Sequence, residues 1–140
     1  MATVCDGAGS PHGLTVTSFV PVSLNPPLIS ICVDIGSSTH ATFLSSPFFA
    51  VNILAEDQRH LSVGFAALPE GRFDGVQWDQ GQTGAPLLHG VLAWLECRVV
   101  NRVGAGDHTM LVGEVVQAEA GGSKPLLHFR RSYHALATEL

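Results

Sequence analysis

Three hydroxyls stand close together at Thr15, Thr17 and Ser18, just after Gly13 and Leu14. Far along the chain, Gly106 and Asp107 precede His108 at the head of Thr109-Met110-Leu111-Val112-Gly113-Glu114-Val115. The first run can offer a row of hydroxyl and backbone groups to the polar edge of a flat ligand. It is equally what a plain β-branched strand carries, because threonine is a good strand former. The second run sets one imidazole beside a glycine turn, where it either orients a ligand or sits at the surface. Between the two runs, Ser37 and Thr39 stand where a helix can begin. A helix N-terminus presents free N–H groups to an anion. Simple capping is the other use of these hydroxyls, and the two uses are compatible.

Other chemistries lack their spacing. The seven histidines, at 12, 40, 60, 89, 108, 128 and 134, give no i,i+4 pair and no Cys/His cluster, so zinc is not supported. The nucleophile elbow Gly-x-Ser-x-Gly is absent. No Gly-x-Gly-x-x-Gly follows a strand, which argues against a Rossmann site. Neither run carries a nucleophile triad or a phosphate loop.

The elements that must position these residues read as β-rich. A short strand over Ala2 to Cys5 and a longer one over Gly13 to Val20 are separated by Gly7-Ala8-Gly9-Ser10-Pro11. Thr15, Val16, Thr17 and Ser18 would then share one strand. Asn25-Pro26-Pro27 breaks the chain before an apolar strand from Leu28 to Asp34. Ser37 to Leu44 reads as a capped short helix, and Phe48 to Leu54 as a strand. Asp57 is the expected N-cap of a helix from Gln58 to about Ala67, with Leu61, Phe65 and Leu68 at helical spacing. Pro69 to His89 reads as an ordered excursion over the surface. A long hairpin follows. Val91 to Val103 has Val91, Ala93, Leu95, Cys97 and Val99 on one face, Gly104 to Asp107 turn, and His108 to about Ala120 return. Leu126 to Phe129 is a last short strand. Six or seven strands with two short helices predict an antiparallel barrel or sandwich.

The chain has 140 residues, enough for one domain with one core. It is 46% apolar and 14% charged, with a net charge of -5, which leaves room for a buried subunit interface and no basic footprint for nucleic acid. No apolar run is long enough to span a bilayer, so no membrane partner is expected. Met1 to Asp6 shows no signal-peptide pattern. The three cysteines form no CxxC pair and suit reduced, buried thiols in a cytoplasmic protein.

Six runs, in order, resemble the flavin reductase family. They are Gly13-Leu14-Thr15-Val16-Thr17-Ser18-Phe19, Pro26-Pro27-Leu28, Ser37-Ser38-Thr39-His40, Ala50-Val51-Asn52, Gly106-Asp107-His108 and Gly113-Glu114-Val115. The resemblance covers nearly the whole chain. It implies a split β-barrel that binds FMN or FAD and takes NADH or NADPH as co-substrate. The flavin contacts it implies are Thr15, Val16, Thr17, Ser18, Ala50 and Asn52, with Ser37 and Thr39 toward the phosphate and Asp34 toward ribityl hydroxyls. It implies that His108 is the residue of the catalytic site that positions the nicotinamide, and, by a looser match, that Tyr133 lies nearby. Arg130 and Arg131 could equally be solvated.

The expected function is an NAD(P)H:flavin oxidoreductase, the reductase component that supplies reduced flavin to a separate monooxygenase. The expected assembly is a homodimer, with residues 1–140 as a single flavin-binding domain and the family's N-terminal lead-in helix missing. Three rivals stand beside it: a flavin-binding electron carrier without turnover, a relative holding haem or a deazaflavin, and a purely structural β-domain.

Overall fold

A computed structural model describes residues 1–68 and 70–136. The main body is one seven-stranded antiparallel sheet. Its strands are β1 (Ala2–Cys5), β2 (Pro11–Leu14), β3 (Val20–Leu24), β4 (Pro27–Asp34), β5 (Phe48–Ile53), β8 (Ala93–Ala105) and β9 (His108–Ala120). Across the sheet they run β2-β1-β5-β8-β9-β4-β3. Two helices, α1 (His40–Ser45) and α2 (Arg59–Ala67), flank it. Two small hairpins stand apart: β6 (Trp78–Gln80) with β7 (Pro86–Leu88), and β10 (Leu127–Phe129) with β11 (Ser132–His134). None of the helices described is long and apolar enough to cross a membrane.

The expected strand from Gly13 to Val20 is two strands, and the reason is the architecture. β2 lies at one edge of the sheet and β3 at the other, yet only residues 15–19 join them. Seven flat strands would hold their edges about 29 Å apart, at roughly 4.8 Å per gap. The chain from Leu14 to Val20 reaches at most about 21 Å. The sheet therefore curls, and residues 15–19 cross the seam where its edges face each other. Thr15, Val16, Thr17 and Ser18 belong to this crossing, outside any ladder. The result is the split barrel expected.

The core sits inside the curl. Ala2, Val4, Ile31, Val33, Phe43, Phe49, Val51, Cys97 and Leu111 are all buried there. Phe49 packs so closely on β9 that a Cβ at Gly113 would fall 2.7 Å from its ring, so only glycine fits. A second cluster under α2 gathers Met1, Leu54, Phe65 and Leu88. It draws in part of the expected surface excursion, because Phe73 stacks edge-on against both Phe65 and Trp78.

Other boundaries shift for local reasons. The β8–β9 turn is Gly106-Asp107 alone, with Gly106 at φ 65°. In β8 the expected alternation holds on the core face, where Leu95, Cys97 and Val99 pack inward, and Glu96 on the opposite face is buried too because the turn between β6 and β7 covers it. Helix α2 is preceded by Gln58 in place of Asp57, and Gln58 accepts from the Ala55 N–H through Oε1 at 3.0 Å. Thr39 precedes α1 without a side-chain cap; its hydroxyl pairs with that of Ser37 at 3.0 Å. The last expected strand is a hairpin turned by Arg130 and Arg131, with φ of 50° and 63°.

Candidate functional site

The seam is where the sequence candidates gather. Residues 15–19 make no backbone–backbone hydrogen bond among the described residues, so the ladder leaves their amides and carbonyls open. Side chains hold the crossing instead. Ser18 Oγ accepts from the Cys32 N–H at 2.9 Å and lies 3.3 Å from the Cys32 carbonyl. Thr15 Oγ1 donates to the Ser62 carbonyl of α2 at 2.8 Å.

Beside this crossing lies a cavity of about 360 Å³, within the range of small-molecule sites. Thr15, Val16, Thr17 and Phe19 line one side, and Asn52, Ile53 and Leu54 line the floor. Ser62 and Ala66 of α2, with His128 and Tyr133 of the terminal hairpin, complete it. Asn52 is buried and fixed: its Oδ1 accepts from the Leu88 N–H at 2.9 Å, and its Nδ2 donates to Thr3 Oγ1 at 2.9 Å. The wall is therefore mostly apolar, with a few anchored polar groups.

A second cavity, about 440 Å³, adjoins the same run of chain. His12, Gly13, Ser38, Thr39, Arg72 and Phe73 line it, and Glu70 and Asp74 also face it. Arg72 is anchored by donating to the Leu68 carbonyl through Nε at 2.5 Å and to the Gly13 carbonyl through Nη1 at 2.8 Å. Desolvation lowers its pKa from the ordinary arginine value.

The remaining candidates lie elsewhere. Asp34 and His108 are direct partners in the β4–β9 ladder and line neither cavity. His108 Nδ1 is 2.7 Å from Asp107 Oδ1, and that hydrogen bond holds the Asp107 carboxyl below the usual carboxylate range. Asp34 Oδ1 accepts from the Gly36 N–H at 2.7 Å. Ala50 is sealed between Thr3 and Glu96 in mid-sheet and has no exposed surface, so the side-chain contact expected there is not available. Among the described residues no group of His, Cys, Asp and Glu is arranged to hold a metal.

Residues 1–137 match the family model described as the flavin reductase like domain. The chain belongs to the flavin reductase-like family. This flavin reductase-like chain is 40% identical over 133 residues to the stachydrine N-demethylase reductase subunit of Rhizobium meliloti, covering 95% of itself and 58% of that protein. It is 37% identical to the reductase component of the flavin-dependent trigonelline monooxygenase of Acinetobacter baylyi, covering 95% of itself and 43% of the other. It thus spans about half the length of these curated relatives. Among solved structures, the NADH:FAD oxidoreductase of Streptomyces globisporus, in complex with NAD and FAD fragments, superposes with a TM-score of 0.91 at 36% identity. That match covers 97% of this chain and 82% of the other.

Ser62, His128 and Arg72 were not legible as site residues. Ser62 sits mid-helix, where serine carries no signal. His128 is one histidine among seven, and only the hairpin brings it to the cavity. Arg72 lies in an irregular run whose path the sequence pattern does not fix.

Proposed function

We propose that this chain is the flavin-binding unit of an NAD(P)H:flavin oxidoreductase, with residues 1–140 acting as a single unit. The observation that carries the reading is the seam cavity, walled by a crossing whose backbone groups have no ladder partners. The donor set fits a flavin. The cavity offers apolar surface for a flat ring, with Thr15 and Thr17 for its polar edge, while Asn52, fully buried with its polar atoms engaged, fixes the floor. The adjoining cavity offers the Thr39 hydroxyl and the anchored Arg72 guanidinium for a phosphate, with Ser37 behind Thr39. Val16 contributes backbone and apolar surface, while Ser18 acts by bracing the crossing. The resemblance alone assigns Asp34 to the ribityl hydroxyls, since it lines neither cavity.

When bound, a flavin accepts a hydride from a reduced nicotinamide and passes the electron pair on. The protein's own work is to hold and orient. Tyr133 bounds the cavity on the side of the terminal hairpin and meets the nicotinamide. His108, steadied at Nδ1 by Asp107, has Nε2 left to orient the nicotinamide carboxamide. The names of the relatives support FMN or FAD as flavin, NADH as hydride donor and a separate monooxygenase as the recipient of reduced flavin. A homodimer fits the exposed apolar residues Val20, Val22 and Leu24 on edge strand β3. The three free cysteines suit a cytoplasmic protein.

The test is oxidation of NADH and NADPH by the purified protein with FMN or FAD. Saturation in both substrates supports the reading and reveals both preferences. A second reading, a flavin carrier without turnover, draws on His108 lying outside both cavity linings. Flavin binding without nicotinamide oxidation would select it.

A further inference from the structure

The terminal hairpin is weakly held for a wall of a binding site. β10 and β11 pair only with each other, and a lone two-stranded hairpin is marginal in water. Its base is stitched to the main body. Ala55 bridges Pro125, the Glu56 N–H donates to the Lys124 carbonyl at 2.9 Å, and the Leu126 N–H donates to the Leu54 carbonyl at 3.0 Å. Beyond the base, Leu127, His128 and Phe129 are exposed. The contact that returns its far strand to α2 is the Tyr133 hydroxyl, which donates to Ser62 Oγ at 3.0 Å. Arg59 of the same helix lies 5.3 Å from the centre of the Tyr133 ring. His128 faces Tyr133 across the ladder, with ring centres 5.0 Å apart, so the two cavity-lining rings move together.

Ser62 is 6% exposed and serves both sides of the cavity. Its carbonyl accepts from Thr15 on the seam, and its hydroxyl accepts from Tyr133 on the hairpin. We propose that Ser62 is a positioning residue that latches the terminal hairpin over the seam cavity and so sets the affinity of the site for the nicotinamide. The inference rests on the flavin reductase reading above. It adds the residue on which nicotinamide binding depends without contact.

Alanine at position 62 removes the hydroxyl and leaves the carbonyl, so it loosens the hairpin, which the base and Arg59 still hold, and spares the bond to Thr15. The two sides of the cavity are thereby separable. Loss of one hydroxyl–hydroxyl bond is expected to raise the KM for NADH on the order of fivefold. Because the hairpin also walls the flavin cavity, the flavin dissociation constant should rise as well, by less than the KM for NADH. Tyr133→Phe breaks the same bond from the other end. The double variant Ser62→Ala/Tyr133→Phe should therefore be no worse than the poorer single variant, because the two changes share one interaction. Ser62→Thr should restore most of the wild-type KM.

The experiment pairs steady-state kinetics with amide hydrogen exchange of residues 126–134, after flavin binding by the wild type has been measured by fluorescence quenching. Faster exchange in that segment, a raised KM and non-additivity together support the latch. Unchanged hairpin exchange in Ser62→Ala overturns it, as do additive KM effects or faster exchange with unchanged KM. A wild-type protein that quenches no flavin fluorescence overturns the parent reading and this one together. That result is distinct from the others because it appears before any variant is made.

Discussion

Glu96 is a carboxylate with no exposed surface, and every donor around it comes from one tight turn. Its Oε1 accepts from the Thr83 N–H at 2.8 Å and the Thr83 hydroxyl at 2.5 Å, and its Oε2 accepts from the Gln82 N–H at 3.2 Å. The carboxylate thus pins the β6–β7 hairpin to the sheet. A Cβ at Gly81 would lie 2.3 Å from Glu96 Oε1. Gly81→Ala should therefore destabilise by about 2 kcal/mol through overpacking. Glu96→Gln, which turns an amide group toward N–H donors, should cost about as much. Urea unfolding midpoints check both. Alternation along β8 sets Glu96 beside Trp94 and Arg98 on the mixed face, and its burial there comes from the β6–β7 turn, a contact between distant segments that residue pattern does not record. The place of His108 at the head of β9 was legible from its glycine turn, and its role toward the nicotinamide is proposed. His108→Ala should raise the KM for NADH severalfold with flavin affinity within a factor of two, measured by kinetics and fluorescence titration. Unchanged kinetics would remove His108 from the site.

Turns carry the lesson at the level of elements. The β8–β9 hairpin was readable because Gly106 supplies the positive φ its turn requires. The β10–β11 turn was not, because Arg130 and Arg131 occupy positions that asparagine and glycine favour. Arg131→Gly should relieve about 1 kcal/mol of backbone strain. It should slow amide exchange in β10 and β11; faster exchange would mean that the arginine contacts outweigh the strain. The β1–β2 turn depends on pH. Asp6 pairs with His12 at 3.1 Å and accepts from the Ser10 and Ala8 N–H groups at 2.9 Å, and these bonds, His12 first, hold its carboxyl below the usual range. A depressed carboxyl contributes order above roughly pH 3.9, the unfolded value, and loses it as pH falls through the lower folded value. Protection of the Ala8 and Ser10 amides should follow that titration, and Asp6→Asn should abolish the dependence.

For the molecule as a whole, the seam is what a linear reading misses. Gly13 to Val20 has the composition of one strand, and only the distance between the two edges of the sheet forbids it. Pattern along the chain records local preference, while the break arises from closure between strands far apart in sequence. The hydroxyls singled out at Thr15 and Ser18 brace the crossing, which has no ladder partners of its own, and their contact with a flavin is proposed. Ser18→Ala removes both contacts to Cys32 and should cost about 1–2 kcal/mol. Flavin affinity should fall roughly tenfold with it, by the usual conversion of such an energy. Thermal melts with and without flavin, alongside fluorescence titration, check this, and a variant that melts and binds like the wild type would mean that the seam is held elsewhere.

If a flavin completes this barrel, as proposed, the lifetime of the protein is tied to its diet. On that reading the chain without flavin would have its crossing open to solvent more of the time, and proteases cut whatever population is open. Flavin entering the seam would withdraw that population from attack. A cell short of riboflavin would thus clear this protein faster than it makes it, and a replete one would let it accumulate. The abundance of the protein would follow the supply of its cofactor with no sensor, repressor or tag beyond the gap between β2 and β3.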